Sequence, residues 1–215
     1  MVEILAGQEP ARRPQARAVE TRRRILEAAA KEFADKGFEG ASSRNIAVAA
    51  GVKHPLITYH FKTKDGLWRA VLTDLNERFR ERYRTRLVGL RGVDDVTTLR
   101  LLLEEFVNFS DHHPEFHWLM SNVAREPSAK LEWLCSEYTQ PHLEELAKLI
   151  ASAQRQDRFV RGDPYHLAYA FIGAVTRIYM VGAEVAMVTG SATHDPDFLR
   201  RHSQLCLSLF FRDPS

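Results

Sequence analysis

Cysteine is nearly absent from this chain: Cys135 and Cys206 are the only two in 215 residues. They form no CxxC pair and no disulfide framework, and each falls in an apolar helical pattern as a small buried hydrophobe. Strand signals are scarce, which excludes a sandwich or barrel. No long apolar run is free of charge. The nearest, Tyr165 to Val188, holds Arg177 and Glu184, each costing roughly 2.5–3.5 kcal/mol near a bilayer centre. It reads as a helix buried between other helices or subunits, with no membrane partner. The amino end lacks a long apolar core after a basic start, so a signal peptide is not expected and a cytoplasmic protein is. There is no Gly-rich phosphate loop, HExxH, Rossmann fingerprint or locally readable Ser-His-Asp set, and no internal repeat. No catalytic residue is assigned, and neither cofactor nor metal is expected. His113 and His117 stand one turn apart beside His112, but His113 precedes Pro114 and serves better as a helix cap. No cysteine or paired carboxylate supports a metal there.

What is present is charge asymmetry and helical period. Hydrophobic residues make up 45% and charged residues 27%, an ordinary balance for a folded chain. Residues 1–64 carry 12 Lys and Arg against 7 Asp and Glu, whereas the remainder carries 18 against 21. The positive excess therefore sits at the amino end, as a phosphate-binding surface requires. Residues 1–18 read as a basic arm with Arg12, Arg13 and Arg17, either a tail or a minor-groove arm. Ile25, Ala29 and Phe33 step by four and predict a helix over 19–36, stopped by Gly37, with Phe38 folding back. Ser42 or Ser43 caps a short helix over 43–50, His54-Pro55 opens a third over 54–60, and Thr63 caps a long fourth. On that fourth helix Leu67, Val71, Leu75, Phe79 and Tyr83 share a face, with Arg78 to Arg86 alternating as a solvated surface. Further helices are predicted over 95–112, 114–124, 128–156, 163–189 and 195–211, with Pro141 kinking or splitting the third of these. The fold class is all-α, about nine helices in a small head and a larger body.

Within the head, Ala47, Gly51 and Ile57 have the spacing of a helix-turn-helix. A small residue lets two helices cross, a glycine takes the left-handed turn, and an apolar residue anchors the second helix. Such a unit places one helix in the major groove. Lys53, His54, Leu56 and Thr58 lie on the entering helix and its leading turn; Leu56 and Thr58 could pack on thymine methyls. Ile57, Phe61 and Phe38 are assigned to the core. Ser42 is a cap first, and Ser43 shares with it a helix end able to meet a phosphate. Arg22, Arg23 and Arg24 read as a solvated helix start.

Four motifs carry a family likeness: T-R-x-x-I-L-x-A-A from Thr21, F-x-x-x-G-F from Phe33, S-S-x-x-I-A-x-x-A-G-V from Ser42, and Y-H-F-x-x-K-x-x-L from Tyr59. Over residues 19–79 the chain resembles the DNA-binding domain of the tetracycline-repressor (TetR) family of bacterial transcriptional regulators. The resemblance implies a guanine contact for Arg44 and phosphate contacts for Tyr59, His60 and Lys64. Thr58 departs from the family, many of whose members carry tyrosine there, so operator choice should differ.

For residues 80–215 the resemblance implies an effector-binding and dimerisation body, a homodimer, and release from a palindromic operator when a small molecule binds. Helices 163–189 and 195–211 are the expected seam, the first for its small residues and the second for Leu205, Leu207, Leu209, Phe210 and Phe211. If they face inward, Trp118, Met120, Trp133, Tyr138, Phe171, Tyr179 and Met180 would line the cavity for a hydrophobic or aromatic effector. Arg177 either pairs with Glu184, seven residues on, or meets an anionic ligand. An all-α enzyme or effector-binding protein with a DNA-targeting head, or an activator, is the alternative.

Overall fold

The computed structural model describes residues 12–88 and 92–212, nearly all of them helical. In chain order the helices are α1 (Arg12–Gly40), α2 (Ser43–Ala49), α3 (Pro55–Phe61), α4 (Lys64–Leu87), α5 (Asp95–His112), α6 (Pro114–Val123), α7 (Ala129–Leu134), α8 (Gln140–Arg155), α9 (Pro164–Met180), α10 (Gly182–Thr189) and α11 (Pro196–Phe210). The all-α class holds, but these eleven stand where about nine were expected, because two long helices are each divided.

Each division has a local cause. Pro141 offers no N–H to a continuing α-helix. The chain widens into a π-turn over Cys135–Thr139, and Pro141 falls in the first turn of α8, where no donor is required. The expected helix over 163–189 breaks at Val181 (φ −116°, ψ 32°), and α9 and α10 meet at a bend of 73°. Gly182 follows, and a Cβ there would come 3.2 Å from the Thr193 hydroxyl. Among the described residues no single helix is long and apolar enough to cross a membrane. The amino-terminal expectation also changes. Residues 1–11 lie outside the described residues, and from Arg12 the chain is already α1 rather than an arm. Gly37, at φ 67° and ψ 175°, leaves helical geometry where the stop was expected, and α1 reaches Gly40 only across that kink.

The chain divides into two compact units, Met1–Asp74 and Leu75–Ser215. The first is built by the step-of-four stripe of α1. Ile25, Leu26, Ala29 and Phe33 are buried with Ile46 and Ala47 of α2, Ile57 and Phe61 of α3, and Leu67, Trp68, Val71 and Leu72 of α4. Phe38 lies between Phe33 and Trp68, 6.0 and 6.2 Å from their ring centres. Trp68 is the largest side chain of this core, and no periodicity argument had singled it out.

The second unit packs α5, α8, α9 and α11 around Leu99, Leu103, Val107, Ile150, Phe171, Val175 and Phe210. Phe159 and Phe211 pair their backbones in an isolated bridge and join that core. Two of the arginines read as solvated are engaged here. Arg82 and Arg86 both hold Glu105, whose carboxylate is buried, and Arg86 also reaches Glu104 at 3.0 Å. A buried carboxylate needs such partners because its desolvation is otherwise uncompensated. Both cysteines are free thiols, and Cys206 is buried, its pKa pushed up to about 11 by that burial.

Trp68→Ala should empty the centre of the first unit and lower its stability by about 3–5 kcal/mol. Urea denaturation followed by circular dichroism checks this; a loss under about 1 kcal/mol would show that Trp68 is peripheral.

Candidate nucleic-acid interface

A seven-residue helix has two turns and cannot persist alone in water, so α3 must be held from outside. Two side chains hold it. Ile57 and Phe61, one turn apart, are buried in the first unit's core, and Pro55 presets the first turn. Lys53, His54, Leu56, Thr58 and Tyr59 are left exposed, Tyr59 by 69%. A short helix with one buried stripe and most other positions open can present a surface to another molecule.

The turn before α3 is tightly specified. Ala50, Gly51 and Val52 donate their N–H groups back to Ile46, Val48 and Ala47 at 2.9–3.0 Å, with Gly51 at φ 62°. A left-handed residue lets the chain reverse there without a Cβ penalty. Arg24 of α1 then reaches across and donates to the carbonyls of Ala50 and Gly51, the latter at 2.9 Å. A Cβ on Gly51 would come within 2.5 Å of that guanidinium. The expectation of a solvated stretch holds for Arg22 and Arg23, which are exposed, and is corrected for Arg24. Arg24 staples the turn, Arg22 lies over the Phe61 ring at 5.5 Å, and Arg23 pairs with Glu20 and Glu27. A spacing of 26 residues carries no local signal, so sequence reasoning could not find the staple.

The start of α2 is fixed in the same manner. Ser42 caps it, accepting from Asn45 N–H at 3.5 Å. The Glu32 carboxylate accepts from Ser42 N–H at 3.1 Å, from the Asn45 amide at 3.2 Å and from Lys36 at 3.0 Å. Burial alone would raise the Glu32 pKa, but these hydrogen bonds outweigh it and hold the carboxyl below its ordinary value. Ser43 begins α2 half-buried, and Arg44 follows, exposed.

At the far end of α3, Lys62 takes φ 65° and its ammonium turns back to the Tyr59 carbonyl at 3.2 Å. His60 is half-buried between the rings of Tyr59 and Phe61, 5.1 and 5.9 Å away. Lys64 donates to the Glu39 carbonyl at 3.0 Å and lies over the Phe38 ring at 5.0 Å. One of its three donors is thus committed to the fold, and Lys62 joins the set as a cation the motifs had not marked. Between Glu39 and Asp65 the chain has no carboxylate, while Arg44, Lys53, Lys62 and Lys64 supply four cations. This stretch can attract a polyanion without repelling it anywhere.

The residues expected to line an effector cavity occupy different settings in the body. Phe171 and Tyr179 are buried in the core, Met120 is half-buried, Met180 lies at the end of α9, and Trp118 is 39% exposed on α6. Trp133 and Tyr138 form their own edge-to-face pair, 5.5 Å between ring centres, around the π-turn. Arg177 and Glu184 share no helix face, because the α9–α10 break falls between them and both are exposed. His113 occupies the cap position of α6 but caps nothing with its ring, which meets Glu115 at 3.1 Å.

Residues 25–71 match the family model described as bacterial regulatory proteins, tetR family. The HTH-type transcriptional regulator CymR of Pseudomonas putida is 37% identical over 101 residues, 46% of this chain and 49% of that protein. YdgC of Bacillus subtilis, also an HTH-type regulator, is 33% identical over 95 residues, 43% and 49% of the two chains. The chain thus spans about half the length of these curated relatives. Among solved structures, AibR in complex with isovaleryl coenzyme A and operator DNA superposes with a TM-score of 0.69 at 19% identity, covering 88% of this chain and 97% of AibR. That likeness shows the fold.

Removing the staple by Arg24→Ala should loosen the turn without exposing core. The expected result is faster amide exchange at Ala50–Lys53, with α1 exchange unchanged. Unchanged exchange at Ala50–Lys53 would contradict the stapling role.

Proposed function

We propose that this chain, whose head is that of the TetR family of bacterial regulatory proteins, is a dimeric, ligand-controlled DNA-binding repressor. The observation that carries the reading is α3 itself: anchored by Ile57 and Phe61, exposed at Pro55, Leu56, Thr58 and Tyr59, and set in a stretch with four cations and no carboxylate. In this reading residues 19–79 bind the operator and residues 80–215 bind effector and partner copy. Arg44 reads a guanine edge through its two-pronged guanidinium, and Lys53, His54, Leu56 and Thr58 complete the groove contact. Tyr59, His60, Lys64, Ser42 and Ser43 position the head on phosphates. Catalysis has no part in it; the relatives are named as transcriptional regulators.

The body supports a two-fold partner. The inner side of α9 is buried through Ala168, Phe171, Val175 and Tyr179, while Tyr165, Tyr169, Ala170 and Gly173 on its other side are exposed. On α11, Leu205 and Leu209 are 57% and 56% exposed, beside buried Cys206 and Phe210. An aromatic and small-residue face on one helix and a leucine pair on the next suit close helix packing between copies. The α9 half of the expected seam carries this argument, since α10 bends away. Two heads would then engage half-sites roughly 34–36 Å apart, one DNA turn. A small molecule bound preferentially by the DNA-incompetent state draws the protein off its operator. AibR was solved with isovaleryl coenzyme A and operator DNA together, so a protein of this fold can hold both kinds of partner.

Selection of bound fragments followed by footprinting tests the head. Arg44→Ala should cost about 1–3 kcal/mol and relax preference at one base pair in each half-site, whereas Lys64→Ala should weaken all sequences alike and flatten the salt slope by about one unit. An operator preference unchanged by Arg44→Ala would remove the base-reading role. For the seam, Leu205→Glu with Leu209→Glu should convert a dimer into a folded monomer by sedimentation; a dimer that persists would place the interface elsewhere.

A further inference from the structure

The core of the second unit holds two polar atoms that are buried without a partner, His117 Nε2 on α6 and the Tyr179 hydroxyl on α9. Each residue is 5% exposed. Both lie against the last turns of α5. Phe106 meets the His117 ring at 5.7 Å and the Phe171 ring at 6.3 Å, and Asp111 lies close enough for its charge to act on Tyr179. The neighbouring buried polar groups are satisfied. Ser110 donates to the Phe106 carbonyl at 2.7 Å, and His202 Nε2 donates to the Val175 carbonyl at 3.1 Å. Buried polar atoms are ordinarily hydrogen-bonded, so each orphan, one beside Phe106 and Phe116 and the other beside His202, calls for a partner.

We propose that His117 Nε2 and the Tyr179 hydroxyl are the polar anchors of the effector site, and that the effector meets them with an uncharged hydroxyl or carbonyl on an apolar frame. This rests on the ligand-controlled reading above. The charged groups around the anchors are already committed: Asp111 to His194 at 3.0 Å, Glu115 to His113 at 3.1 Å, and Glu105 to Arg82 and Arg86. None of these pairs offers a free cation to a carboxylate or phosphate, or a free carboxylate to an amine. The anchors themselves are neutral. Burial pushes the His117 pKa down to about 4, Glu115 opposing only in part, and burial followed by the Asp111 charge raises that of Tyr179. An imidazole and a phenol in these states can each donate or accept, which suits a hydroxyl or carbonyl. Phe106, Phe116 and Phe171 would take the apolar part.

Three probes of one size separate the possibilities: benzyl alcohol, toluene and benzoate, titrated into the full chain by calorimetry and by nitrogen NMR of the histidine rings. Benzyl alcohol should bind and move the His117 Nε2 resonance, toluene should bind about fivefold or more weakly, and benzoate should not bind. Tyr179→Phe should weaken benzyl alcohol by about fivefold and leave toluene unchanged, the loss of one of its two hydrogen bonds being worth about that much while His117 keeps the other. Equal binding of benzyl alcohol and toluene, tightest binding of benzoate, or no binding of any probe would overturn the proposal. So would unaltered benzyl alcohol affinity in Tyr179→Phe, the sign of a resident water between the anchors. A gel shift without probe keeps the two readings apart: loss of DNA binding there speaks against the regulator, while the titrations judge the anchors alone.

Discussion

Everything the head can do depends on holding a two-turn helix still. Nucleating a helix costs more than two turns return, so α3 owes its existence to burial of Ile57 and Phe61 rather than to its own hydrogen bonds. Burial fixes one stripe, but it does not fix the rotation of the helix entrance. That falls to the turn, where Gly51 supplies the left-handed residue and Arg24 ties two successive carbonyls to α1. Glu32 does the same at the start of α2. The two clamps come from one helix, so α1 sets both α2 and the turn that delivers α3. Preorganisation of this kind matters because a reading head that must order itself on DNA loses affinity to that ordering.

What could be read from residues alone follows from how local each signal is. The α1 stripe, the Ser42 cap, the Gly51 turn and Pro55 at the start of α3 are all short-range patterns, and each appears in the structure at its expected place. Arg24 and Glu32 escaped, since their partners lie 26 and 10 residues away and a charged residue on an exposed-looking helix gives no hint of reach. Arg82 and Arg86 were missed for the same reason; an alternating run of arginines looks solvated until Glu105 is placed beside it. The break at Val181 was hidden by composition. An apolar pattern continues across it, and periodicity cannot report a 73° bend caused by two backbone angles. Of the candidate site, the exposed positions of α3 were legible, because two core residues one turn apart dictate which positions remain open. Which aromatic residues of the body are plain core was not, because an aromatic residue at helical spacing serves a core and a cavity equally well.

The second unit shows why polar groups in a core are informative. His202 and His117 are both buried imidazoles with lowered pKa, burial being the leading cause in each. His202 is built in: the Val175 carbonyl takes its Nε2 hydrogen, and the Cys206 sulfur lies 3.8 Å from Nδ1. His117 Nε2 is not, although Phe106 and Phe116 meet the ring edge-on at 5.7 and 5.5 Å. Packing without hydrogen bonding leaves a cost unrecovered. A histidine on those terms, in the same unit as an equally orphaned tyrosine, is better explained by something that arrives than by the fold.

Charge links the head to the need for two copies. A single head presents Arg44, Lys53, Lys62 and Lys64, with part of the hydrogen-bonding capacity of Lys62 and Lys64 spent inside the protein. Each phosphate neutralised steepens the salt dependence by about 0.9, so a contact of three or four phosphates gives weak, salt-sensitive binding. The whole chain adds little, its formal net charge being only +2. Joining two such heads makes the second contact intramolecular, at an effective concentration on the order of millimolar, and multiplies affinity without any further cation. In the dimeric regulator proposed above, the modest charge of the head and the apolar face on α9 and α11 would act together: one head would hold DNA weakly, and an effector that altered the arrangement of two copies would govern binding as a whole.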